Sequence, residues 1–156
     1  MANQYINLYM NNPTANDVDG TQVSTDDTNT APLSFVLDAS KAESGIQKVA
    51  LRCAVGYCTI GDTVISAVDK DTSDDTDNTS KWSFAADDDY ADAVAAAKAT
   101  FTPTLTIKDQ IEAVNKVFWV KAASTKGEVP RNDTTVALNI KTVIGAVTAS
   151  ADTYSA

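Results

Sequence analysis

The chain has 156 residues, of which 44% are hydrophobic, and this excludes a protein that is disordered throughout. Its 12 basic and 21 acidic residues give a net charge of −9, which disfavours nucleic acid and anionic membranes as partners. No histidine is present. Because most acid–base chemistry near neutral pH uses imidazole, a structural or binding protein is favoured over an enzyme.

The N-terminal segment Tyr5–Met10 alternates in character and predicts a β-strand. One face would carry Ile6, Leu8 and Met10, and the other Tyr5, Asn7 and Tyr9. Aromatic side chains are enriched at the centres of protein interfaces, so Tyr5 and Tyr9 are the candidate partner-binding residues. Residues 1–5 carry no basic side chain, and we therefore expect no signal peptide and synthesis in a cytoplasm.

A long polar loop is predicted over residues 11–31, with turn signals at Asn12-Pro13 and Asp19-Gly20 and a short strand near Val23. Alternation over residues 33–37 predicts a second strand. The next strand, over residues 46–57, is the best candidate for a central one. Its inward side chains would be Val49, Leu51, Cys53 and Val55, and its outward ones Lys48, Ala50 and Arg52.

Two cysteines, Cys53 and Cys58, lie five positions apart. Cytoplasmic synthesis favours free thiols, although the intervening residues could form the tight turn that a disulfide needs. Too few Cys and His residues are present for a zinc site of the usual type.

An acidic loop follows a predicted hairpin at Gly61-Asp62 and a returning strand over residues 63–68. Its carboxylates are the candidate ligands for Ca²⁺, the only cofactor considered: Asp69, Asp71, Asp75 and Asp77. The loop lacks the glycine and the glutamate of a calcium-binding loop at their usual positions, so a solvated hairpin tip is the favoured interpretation.

The second half of the chain predicts more strands and one short helix. Trp82 and Phe84 share one strand face, and alanine-rich residues 91–99 favour a brief helix or an ordered loop, with Asp89 as the N-cap. Both tryptophans, Trp82 and Trp119, are expected in the core. Further strands are predicted over residues 101–107, 117–122 and 136–147.

The pattern as a whole predicts an all-β sandwich of about seven to nine strands with at most one short helix. We expect one domain over residues 1–148 and a flexible C-terminal tail over residues 149–156.

Three stretches resemble a group of small structural proteins of tailed phages. They are residues 5–14 with Asp19-Gly20-Thr21; residues 47–53 with Gly56-Tyr57, Gly61-Asp62-Thr63 and Lys81-Trp82; and residues 116–122 with residues 130–136. Together they cover under half of the chain, and the alanine-rich segment 91–99 looks like an insertion.

The resemblance implies an immunoglobulin-like sandwich in a phage virion, most specifically a capsid decoration protein that docks on the capsid surface. Its partners would be the major capsid protein, other virion proteins or further copies of itself. The family has no catalytic residues to transfer. Two alternatives stay open: a tail-tube or other tail structural subunit, and a carbohydrate-binding or host-adhesion module.

Overall fold

The computed structural model describes residues 5–23, 33–38, 41, 43–69, 78–124 and 136–147. The strands are β1 (Ile6–Met10), β2 (Thr21–Gln22), β3 (Ser44–Cys53), β4 (Tyr57–Asp69), β5 (Trp82–Ala86), β6 (Thr104–Ile107), β7 (Lys116–Ala123) and β8 (Val136–Ala146). The described residues also include a short α-helix, α1 (Ala93–Ala96), and a 3-10 turn (Asn78–Lys81). The predicted tail, residues 149–156, lies outside the described residues.

Two antiparallel sheets form a sandwich, as the alternating apolar pattern predicted. The first has the order β2-β1-β3-β7-β5 and the second the order β6-β4-β8. In the first sheet, β1-β3-β7-β5 follows the A-B-E-D order of immunoglobulin domains, and in the second, β4 beside β8 corresponds to C beside F. Among the described residues no strand takes the place of strand G, which would flank β8.

The core lies between the two sheets. It is built from the inward residues Ile6, Leu8, Val49, Leu51, Cys53, Ile65, Phe84, Ile107, Ile111, Phe118 and Val120. Val49, Leu51 and Cys53 are buried as predicted. Val55, in contrast, was wrongly predicted to point inward: it is 89% exposed, because β3 ends at Cys53 and the chain turns through Gly56 at φ +92°.

A second buried layer lies on the outer side of the five-stranded sheet. Ala50 points away from the main core, as predicted, but it is fully buried because α1 packs against β3 and buries Ala96. Trp119 is buried in the same layer, where its indole N–H donates to Asp87 Oδ1 at 2.8 Å and Tyr90 contacts its ring edge-on. Trp119 is thus a core residue as expected, and Trp82 is half-buried against Phe35.

Residues 33–38 do not form the predicted strand. Leu33, Phe35 and Leu37 do turn inward in alternation, but the segment is held by side chains instead of a ladder. The Gln47 amide donates to the Ser34 carbonyl at 2.6 Å, and Phe35 packs so closely on Gly45 that a Cβ there would lie 2.9 Å from its ring.

Two further local predictions were wrong. Gly61-Asp62 is not a hairpin turn, because β4 runs straight through it with a shift in its pairing to β8 between Ile60 and Val64. Asp89 does not cap α1. The N-cap is Asp92, whose carboxylate accepts a hydrogen bond from the Ala95 amide at 2.9 Å.

Candidate partner-binding surface

Tyr5 and Tyr9 lie at opposite ends of β1, each in its own contact. The Arg52 guanidinium lies 3.6 Å from the centre of the Tyr9 ring, a cation–π geometry. Tyr5 is 42% exposed, and its ring packs at 4.8 Å on Tyr57. The structure therefore does not bring the two candidate residues together into one aromatic patch.

The loop that follows β1, residues 11–20, is held in a defined shape by Asp19. Its carboxylate accepts hydrogen bonds from the Thr14 amide and the Thr14 hydroxyl, both at 2.7 Å. Asn11, Asn12 and Asn16 adopt positive φ angles, a conformation that asparagine tolerates better than most residues. The asparagine-rich composition is thus what allows the chain to bend here.

Asn115 ties this loop to the sheet from a buried position just before β7. Its side-chain amide donates to the Thr14 carbonyl and to Asp19 Oδ1, each at 2.9 Å. Its main chain exchanges two more hydrogen bonds with the loop, accepting from Asn16 and donating to Asp17. With only 2% of its surface exposed, Asn115 is a buried polar residue whose bonds are satisfied by the loop.

Arg52 completes the arrangement from β3. Its Nη1 donates to the Asp19 carbonyl at 2.7 Å and to Asn115 Oδ1 at 2.9 Å, while the guanidinium plane rests on Tyr9. We call Tyr9, Thr14, Asp19, Arg52 and Asn115 the loop clamp. Together with the buried ring of Pro13, it fixes a mostly polar loop onto the sheet.

The charge of Asp19 is part of the clamp. Hydrogen bonds from Thr14, first from its amide and then from its hydroxyl, lower the pKa of the Asp19 carboxyl below its ordinary value of 3.8. The carboxylate is therefore ionised near neutral pH and acts as a fixed acceptor.

The clamped loop presents mostly polar, exposed residues and one large apolar residue, Val18, which is 62% exposed. A preorganised surface of this kind loses little conformational entropy when it binds. It supplies hydrogen-bonding groups and shape.

The two cysteines lie in the interior of the protein, whereas reactive cysteines are at least partly exposed. Cys53 and Cys58 are both buried and both free thiols. Burial, followed by the neighbouring Cys58 and Glu112, raises the pKa of Cys53 to about 11, so its thiol stays protonated at neutral pH.

Of the predicted calcium ligands, only Asp69 belongs to the part of the chain that the structure describes; Asp71, Asp75 and Asp77 lie outside it. Across the described ranges there is no cluster of three acidic, cysteine or histidine residues that could hold a metal ion. Nor does any helix within those ranges have the length and apolar character needed to cross a membrane.

The loop clamp itself was not foreseen. Arg52 and Asn115 are 63 positions apart in sequence, and nothing in a single sequence links an outward arginine on one strand to an asparagine before another. The available signals were the Asp19-Gly20 turn and the run of asparagines after β1. Comparison with known proteins yields no relative: no family model, curated protein or solved structure matches the chain.

Proposed function

We propose that this chain is a structural protein of a phage virion, of the capsid decoration type, that docks through the surface formed by the loop clamp and β1. The observation that carries the proposal is the clamp: an exposed, mostly polar loop, residues 11–20, is held rigid by a buried asparagine and an arginine. Binding residues are often found on loops that a rigid scaffold positions, and this loop is built as a fixed surface. The resemblance of residues 5–14 to small phage structural proteins falls on the same part of the chain.

The mechanism is adhesion. Each copy contributes a modest binding energy on one site of a repeating lattice, and the particle gains from many copies. The net charge of −9 on the whole chain keeps decorated particles apart in solution.

The docking surface is tested with a matched pair of valines. Val18 lies on the clamped loop and Val94 on α1, and both are exposed. Val18→Asp should reduce the occupancy of the protein on purified particles several-fold, because a charge replaces an exposed apolar side chain of the proposed surface, whereas Val94→Asp should leave occupancy unchanged. Equal occupancy of both variants and the wild type would mean that the docking surface lies elsewhere.

A tail-tube subunit is the second candidate, and one observation favours it. β8 is an 11-residue strand at the edge of its sheet, and ring assemblies can be closed by strands that pair at such edges. The position of the protein on the particle separates the candidates, since a tube subunit would line the tail and a decoration protein the head.

The carbohydrate-binding alternative receives less support. Such a module needs exposed aromatic rings, but Trp119 is buried and Trp82 packs on Phe35. Tyr5 is the one aromatic residue among the strongly exposed large hydrophobic side chains of the described residues.

A further inference from the structure

The outer edge of β8 is the most open main-chain surface of the described fold. β8 pairs with β4 over residues 136–141 and 143–146, and none of the other described strands pairs with its opposite side. At roughly 3.3 Å per residue, its 11 residues form about 36 Å of edge with which no other described strand pairs.

The edge has few of the usual features that prevent strand pairing. Residues 136–146 contain no proline and one charged residue, Lys141. The pairing irregularity of this sheet lies between Ile60 and Val64, which pair with Val143 and Lys141. The extra residues therefore belong to β4, and only Thr142 of β8 lies opposite them.

Apolar side chains remain accessible at the same edge. Leu138, Ile140 and Ile144 point toward the core, yet each is only half-buried. The adjoining strand that would cover them is the one at the immunoglobulin G position, and the described residues supply none.

We propose that a second copy of this chain occupies this edge, with the two β8 strands antiparallel about a two-fold axis and Thr142 facing Thr142. In this register Ile140 lies opposite Ile144 of the second copy on the inner face. On the outer face Lys141 lies opposite Val143 of the second copy, so the two Lys141 ammonium groups do not face each other. In a register centred on Lys141 they would face each other directly. The strand carries no acidic residue, so none of the negative charge that separates copies of this protein lies on the two paired strands.

This inference does not depend on the virion assignment, since it concerns the isolated protein. The measurement is sedimentation velocity of the full chain over a wide concentration range. We expect a concentration-dependent monomer–dimer equilibrium, and a protein that stays monomeric up to millimolar concentration would overturn the proposal.

Substitution at Val143 tests the edge and the register. Val143 is 61% exposed on the outer face, so Val143→Lys should fold normally while placing two like-charged pairs across the dimer. It should raise the dimer dissociation constant by roughly tenfold, whereas Val94→Lys on α1 adds the same charge without effect. If both variants dimerise like the wild type, the interface is not this edge.

The double variant Lys141→Glu with Val143→Lys should restore dimerisation, because each glutamate then faces a lysine of the other copy. In a register centred on residue 141, the same double variant would place two glutamates opposite each other. A double variant that does not recover dimerisation would therefore contradict the proposed register.

Hydrogen exchange of the wild-type protein tests the proposed dimer without any substitution. Alternate amides of residues 136–146 should become more protected as the wild-type concentration rises. Protection that is already complete at the lowest, monomeric concentration would show that the edge is covered within one chain and would overturn the proposal.

Discussion

Asn115 is the residue on which the shape of the loop clamp depends most. Asn115→Ala removes a buried amide and leaves Arg52 and the Thr14 carbonyl without one partner each. We expect a loss of about 1–3 kcal/mol in the free energy of unfolding, measured by urea denaturation. Asn139→Ala, at an exposed position on β8, is the matched control and should change stability little. If the two variants proved equally stable, the clamp would contribute nothing.

Leu51 is fully buried near the C-terminal end of β3, the middle strand of the five-stranded sheet. Leu51→Ala should cost roughly 2–5 kcal/mol in unfolding free energy, the range for emptying a packed leucine site. Val55→Ala, on the exposed turn after the strand, serves as the control. A loss below about 1 kcal/mol for Leu51→Ala would contradict the packing described for this strand.

Cys53 makes the free energy of unfolding depend on pH in the alkaline range, and the direction of this dependence follows from its pKa. Its pKa is raised from 9.0 to about 11 on folding, so the folded state binds the thiol proton more tightly than the unfolded state. The stability this provides is complete below pH 9 and is lost as the pH rises through 11.

The measurement is the unfolding free energy as a function of pH for the wild type and for Cys53→Ala. Every other ionisable group is common to both proteins, so the difference between the two curves isolates Cys53. The wild type should therefore lose more stability than the variant on passing from pH 9 to pH 11, and parallel curves would disprove the shift.

At the level of elements, α1 has a role beyond its four residues, because it covers the outer face of β3 and buries Ala50. Asp92→Ala removes its N-cap and should cost about 0.5–2 kcal/mol. Asp88→Ala, exposed and outside the cap, is the control. The two variants can be compared by thermal unfolding, and an equal melting temperature would show that the cap does not stabilise the covering layer.

Individual strands also show how much of the fold can be predicted from a single sequence. The alternation of Val49, Leu51 and Cys53 located a central strand correctly because side chains in a strand alternate between faces. The same alternation at Leu33, Phe35 and Leu37 correctly identified which side chains turn inward. It could not show that this segment forms no strand, because strand pairing depends on residues distant in sequence. Gly61-Asp62 resembled a hairpin turn, yet a glycine at positive φ also fits an irregularity inside a strand.

The loop clamp was beyond sequence reasoning for a related cause. Each of its members has an ordinary local explanation: Tyr9 as an outward strand residue, Asp19 as part of a turn, Asn115 as a polar corner. Their joint role arises only when β1, β3 and the segment before β7 meet. Tyr5 and Tyr9 were chosen for their aromatic character, and their contacts with Tyr57 and Arg52 become visible only in the fold.

At the scale of the whole molecule, an acidic β-sandwich combines a rigid polar surface at the clamp with an open edge along β8. The first is suited to docking on a larger assembly and the second to pairing with another copy. The two surfaces involve different strands, so a single substitution can disrupt one surface and leave the other intact.

The most direct test of the account is to locate the protein on phage particles purified from the source organism, by mass spectrometry and electron microscopy with a label on the chain. We expect the protein in many copies per particle, with the label distributed over the head. A label confined to the tail would contradict the decoration role and favour the tube subunit, and particles without the protein would contradict the virion proposal altogether.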